Sequence, residues 1–133
     1  MGLDMYLHKR KLNAQKGPDG FYSDEDDIEI GYWRKANAIH EWFNQNCAEG
    51  DCENCEIYDV SKSDLIELID TCERVLSNHD LAEELLPPSE GFFFGSTEID
   101  EYYFRDLQET IEICKEALNV DFNEWKVYYY AWW

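Results

Sequence analysis

Leu3, Met5 and Leu7 alternate with Asp4, Tyr6 and His8, and this period of two predicts a half-buried strand. Lys9 to Ser23 is polar and holds the turn signal Gly17-Pro18-Asp19-Gly20, so a hairpin-like loop is expected there. After the acidic run Asp24 to Asp27, Ile28 and Ile30 predict a second short strand. It leads into Gly31 to Phe43, read as a helix from near Trp33, with a tight strand-to-helix join at Gly31. On such a helix Ala36, Ile39 and Phe43 form a core stripe, and Trp33, Asn37, His40 and Asn44 form a second stripe beside it.

Asn46 to Glu56 reads as a loop. Ser61 to Asp64 opens a second helix, with Ser61 as cap and Asp64 in the first turn. Leu65, Leu68, Ile69, Cys72, Val75 and Leu76 continue it at helical spacing to about Asn78. A further turn at Leu81 to Leu86 is stopped by Pro87-Pro88. Gly91 to Gly95, three Phe between two Gly, suits a short central strand. A third helix starts at Thr97 or Asp100 and buries Phe104, Leu107, Ile111, Cys114 and Leu118. Beyond a turn at Asn119 to Asn123, Trp125, Val127, Tyr129 and Ala131 alternate with Lys126, Tyr128 and Tyr130 as a closing strand.

Strands separated by helices and partly joined by hairpin-like turns predict an α+β fold. The expectation is a single domain over 1–133, a mostly antiparallel sheet of about four strands with three helices packed on it. Hydrophobic residues are 44% of the chain and aromatic ones 16%, which excludes an acidic disordered chain and predicts an aromatic core.

Charge changes the picture of partners. Asp and Glu number 30 against 11 Lys and Arg. Lys9, Arg10, Lys11 and Lys16 against Asp4 and Asp19 leave residues 1–20 at +2, so residues 21–133 carry −21. Such a surface repels phosphate backbones and anionic membranes, so no direct nucleic-acid binding and no membrane association are expected, and a basic protein is the natural partner. Asp64, Glu67, Asp70 and Glu73 on the second helix and Glu109, Glu112 and Glu116 on the third recur at like-charge spacing. Each such step costs about 0.2–0.5 kcal/mol in an isolated helix, and docking to a basic groove would relieve it.

The start of the chain lacks the charged and apolar segments of a signal peptide, no run is long enough to span a bilayer, and a cytoplasmic location is expected. The five cysteines are then expected as thiols. Cys47, Cys52 and Cys55 have a spacing that could hold zinc, with His40 or Cys72 as a fourth ligand. No second Cys-x2-Cys pair closes the set, so no cofactor is expected and zinc is the one candidate. Trp33, Arg34, Asn37 and His40 are the candidate site for a small, nucleotide-like ligand or for catalysis, with His40 as the titratable member. No HExxH, GxSxG or paired-carboxylate signature supports an enzyme. The aromatic C-terminal strand, if at a sheet edge, is a site for self-association.

Gly2 to Leu7 (GLDMYL), Gly31 to Phe43 (GYWRKANAIHEWF), Ala82 to Pro87 (AEELLP), Gly91 to Asp100 (GFFFGSTEID) and the ending YYYAWW together resemble a widespread family of small phage and prophage proteins. The resemblance implies a bacterial host cell and brings no activity with it. The acidic insert around Cys47 to Cys55 and the two-Trp ending depart from the family pattern, so the cysteine reading rests on spacing alone.

Overall fold

The alternation at the start of the chain extends further than the apolar residues alone require. In the computed structural model, which describes residues 2–90 and 95–133, β1 runs Asp4–Lys11, and Leu3, Met5 and Leu7 are fully buried. β2 is Asp27–Arg34 and pairs with β1 antiparallel, Met5 opposite Trp33 and Leu7 opposite Gly31. The GYWR segment is therefore strand, a correction to the helix expected from near Trp33. Its alternation puts the buried Trp33 beside Met5 in the core and leaves Tyr32 and Arg34 exposed. The chain turns at Lys35, which takes a left-handed φ of 57°, and Lys35 N–H donates to the Leu3 carbonyl (2.7 Å). Only then does α1, Asn37–Cys47, begin, with no side-chain cap.

Gly31 does not serve as the strand-to-helix join. A Cβ there would lie 2.3 Å from Ile113 Cγ2, so glycine is what lets the last helix approach β2. The register shifts between Leu7 and His8, where Ile30 is the extra residue of a bulge. Beyond it His8 faces Glu29 and Arg10 faces Asp27. An unbroken register would have set Arg10 opposite Ile28, so the bulge brings Asp27 onto the same face of the sheet as His8 and Arg10.

A third strand, β3 (Tyr58–Val60), lies where a loop running into a helix was expected. It is short and pairs only with Tyr129 to Val127. α2, Lys62–Ser77, follows behind a capping box in which Asp64 N–H donates to Ser61 Oγ (3.1 Å) and Ser61 N–H donates to Asp64 Oδ2 (2.9 Å). The expected turn at 81–86 is a 3-10 turn at His79–Leu81 running into a short helix, α3 (Ala82–Leu85). α4, Glu101–Leu118, is capped by Asp100, which accepts from Tyr102 and Tyr103 N–H. The described residues thus hold four helices rather than three. The strand expected at Gly91–Gly95 lies outside the described residues but for Gly95.

β4, Trp125–Trp132, closes a four-stranded antiparallel sheet of order β2-β1-β4-β3. The C-terminal strand is therefore interior, which corrects its expected place at an edge. Beyond the end of β3 the chain still covers it: Cys55 N–H donates to the Ala131 carbonyl (2.8 Å), and Asn54 bonds both the N–H and the carbonyl of Trp133. On one side of the sheet, Met5, Leu7, Trp33, Val127, Tyr129 and Ala131 share a single core with residues of the helices. Phe43 stacks on Tyr129 at 4.0 Å between ring centres. The other side carries Tyr6, His8, Arg10, Asp27, Tyr128 and Tyr130.

Candidate functional site

The helix-free face of the sheet holds the densest polar network. On β1, residues spaced by two, His8 and Arg10, share this face, and on β4 so do Tyr128 and Tyr130. His8, Arg10 and Tyr128 surround one carboxylate, supplied by the bulged β2. Asp27 bonds His8 Nδ1 through Oδ1 (2.8 Å), accepts from Arg10 Nε through Oδ2 (3.1 Å), and accepts the Tyr128 hydroxyl at 2.8 and 2.7 Å. Burial alone pushes the Asp27 carboxyl up, but the bonds from Tyr128, His8 and Arg10 outweigh it and hold the group below its ordinary value. An ionised Asp27 only accepts, so His8 Nδ1 carries the hydrogen between them.

Arg10 is held from two further sides. Its guanidinium lies 3.9 Å from the Tyr22 ring centre and 4.8 Å from that of Tyr128. Tyr6 stacks on Tyr130 (4.8 Å, 15°), and His8 lies 5.3 and 5.4 Å from the Tyr128 and Tyr130 rings. Burial, with Asp27 as the added cause, pushes the Tyr128 hydroxyl far above its ordinary value, so it remains a donor. The face opens into a cleft of about 780 Å³, walled on one side by Phe21 and Tyr22 of the β1–β2 loop and on the other by Cys55 and Ile57.

The residues singled out in the sequence lie elsewhere and do not assemble into one stripe. Trp33 is buried in β2, and its indole N–H donates to Thr110 Oγ1 of α4 (2.8 Å). Arg34, its neighbour, faces the opposite way and pairs with Asp4 (3.4 Å) at the surface. Asn37 is buried at the first position of α1, donates to the Ser96 carbonyl (2.8 Å) and accepts from Ser89 N–H (3.0 Å), so it ties both serines to α1. His40 is buried, with Nδ1 bonded to the Tyr129 hydroxyl (2.7 Å) and the Trp133 ring edge-on at 5.4 Å. Arg34 and Asn37 line a smaller cleft of about 280 Å³ with Ser96 and Asp106, and burial pushes the Asp106 carboxyl up to about 6.

Burial also pushes the His40 imidazole down to about 4, against a small opposing pull from Glu41. Native His40 stays neutral while the unfolded chain takes up a proton below about pH 6.5, so its contribution to stability is complete above that pH. It is lost as pH falls from about 6.5 to 4, by on the order of 3 kcal/mol. His40→Gln is expected to remove that slope. Urea denaturation of both proteins across this range checks it, and parallel curves would exclude the effect.

The cysteines do not gather. Cys47 and Cys52 are half-buried, their thiols pushed up to about 12 and 11 chiefly by burial, while Cys55 is exposed with φ 67°. Among the described residues, no group of three or more His, Cys, Asp or Glu is placed to hold a metal ion. Of the acidic positions, Asp64 is engaged in the α2 cap and lies 3.8 Å from Cys47 Sγ. Glu67, Asp70, Glu73, Glu109, Glu112 and Glu116 are all exposed.

Comparison of the chain with family models, with curated proteins and with solved structures finds no match. No helix among the described residues is long and apolar enough to cross a membrane.

Proposed function

We propose that this chain is a small acidic binding protein, of the phage and prophage kind its sequence resembles. Its partner is a basic protein of the bacterial cytoplasm, engaged through the helical side and thereby inhibited or redirected. One observation carries the reading: charge compensation is one-sided. Every ion pair among the described residues joins strand residues or Asp26 at the foot of β2: His8 and Arg10 with Asp27, Lys11 with Asp26, Arg34 with Asp4, Lys126 with Asp59. The exposed acids of α2 and α4 have no cation within ion-pair distance among those residues, although Arg74, Arg105 and Lys115 lie on the same helices.

An uncompensated acidic side on a chain of net charge −19 steers a basic surface toward it, including a groove that otherwise holds nucleic acid. Protein captured from bacterial lysate with the wild-type chain is expected to include a basic species that survives a low-salt wash and leaves at high salt. The combined Glu67→Lys, Asp70→Lys and Glu73→Lys variant, with an unchanged melting temperature, is expected to lose that species. Equal retention by the folded variant would overturn the reading.

A further inference from the structure

We propose that the cleft on the open face of the sheet binds a nucleoside monophosphate, the base held against its aromatic walls, the phosphate by Lys16 and Arg10, and a ribose hydroxyl by His8. The site is independent of the acidic helices, which lie across the core from it.

The size is right for such a ligand, since a volume of about 780 Å³ falls within the usual range for small-molecule pockets. Its floor is rigid. His8 and Arg10 are held by a shared carboxylate, and Arg10 is clamped between two tyrosine rings, so both side chains are oriented before any ligand arrives.

Ring recognition follows from what the walls expose. Phe21 is 73% exposed at the rim and Ile57 40%, and neither packs into the core. Exposed aromatic faces over a polar floor are what a planar base stacks on without need of a particular sequence of hydrogen bonds.

Recognition of the phosphate and the ribose follows from two groups with unspent capacity. Lys16 lines the cleft and joins no ion pair among the described residues, in a chain where acids outnumber bases almost three to one. His8 Nε2 is the one buried side-chain nitrogen or oxygen among the described residues that has no hydrogen-bond partner. A buried polar atom without a partner is costly and calls for an explanation, and an incoming ligand atom supplies it. With Nδ1–H donated to Asp27, His8 Nε2 is an acceptor, and a ribose hydroxyl of the nucleotide is the donor it takes. The lining residues Arg10 and Lys16 offset Asp24 and Asp27, so the cleft is locally neutral on an otherwise strongly acidic molecule.

The test is calorimetric titration of the whole chain with AMP and with UMP, followed by nitrogen-15 spectra of the histidine side chains. Saturable one-to-one binding of at least one nucleotide is expected, with the His8 Nε2 resonance shifting on addition. Lys16→Ala and Phe21→Ala, both in the hairpin and outside the core, are expected to weaken binding about tenfold each while leaving the melting temperature unchanged. The charge-reversed α2 variant is expected to bind as wild type, which separates this site from the proposed protein-docking surface. Absence of saturable heat with both nucleotides, or binding indifferent to Lys16→Ala and Phe21→Ala in folded protein, would overturn the proposal.

Discussion

Trp33→Ala is expected to bring the protein close to unfolding, at a cost of about 3–5 kcal/mol against a total stability of about 5–15 kcal/mol for a domain of ordinary stability. Trp33 is among the largest fully buried side chains, and it packs edge-on to Phe43 (5.9 Å) and Tyr129 (6.5 Å), the stacked pair at the centre of the core. Removing the indole opens a cavity between the sheet and α4 that neighbouring backbone cannot fill. It also removes the N–H that holds Thr110, the fully buried hydroxyl that donates in turn to the Asp106 carbonyl (2.7 Å). Trp33→Phe keeps much of the packing and loses the hydrogen bond, so it is expected to cost less, about 1–3 kcal/mol. Urea denaturation of the three proteins measures both. A loss below about 1 kcal/mol for Trp33→Ala would show that the core is not built on this residue.

The second large effect is expected where a side chain is added. Gly31→Ala places a methyl carbon 2.3 Å from Ile113 Cγ2 and 2.9 Å from Ile113 Cγ1. The clash is relieved by forcing the Ile113 side chain off its rotamer or by moving α4 away from β2, at about 1–3 kcal/mol. Ile113→Ala should remove the obstacle. The double variant is then expected to be more stable than the sum of the two single losses predicts, a coupling of about 1 kcal/mol or more. Strict additivity in thermal denaturation would mean that Gly31 is needed for its backbone alone.

Both residues show how far the sequence could be read. Gly31 was conspicuous, but glycine at a strand-helix junction and glycine under a packed helix look the same in one dimension. Trp33 stands out in the sequence, but its place is on β2 and not on a helix. GYWRKANAIHEWF fits a helical stripe as well as a strand followed by a helix, and Trp33 was decided by pairing with Met5, 28 positions earlier. The same ambiguity puts Asn37 and His40 on one stripe with Trp33, whereas in the structure the two are buried on α1 and bond Ser96 and Tyr129. β3 was invisible for another reason: three residues are too few to show a period, and Tyr58 to Val60 become a strand only because β4 is beside them.

The sheet-face network is legible in the sequence only in part. Its signal was present in the alternation of Tyr6, His8 and Arg10 on β1 and of Tyr128 and Tyr130 on β4, which put polar and aromatic groups on the face opposite the core. What could not be read was their meeting with Asp27, which looked like one more member of an acidic run.

The sequence by itself determined the α+β class, the single domain, the hairpin, the cap of α2, the buried faces of α2 and α4, and the acidic charge. These follow from periodicity and short-range hydrogen bonding, interactions that span a few residues and leave their trace in adjacent letters. Only the tertiary structure decided where β2 ends, that β4 is interior, and that Asp27 sits between His8, Arg10 and Tyr128. The last depends on one bulged residue, Ile30, and on a contact between positions 101 apart. Strand order and register are set by which distant segments pair, and a one-residue shift moves every later side chain to the other face.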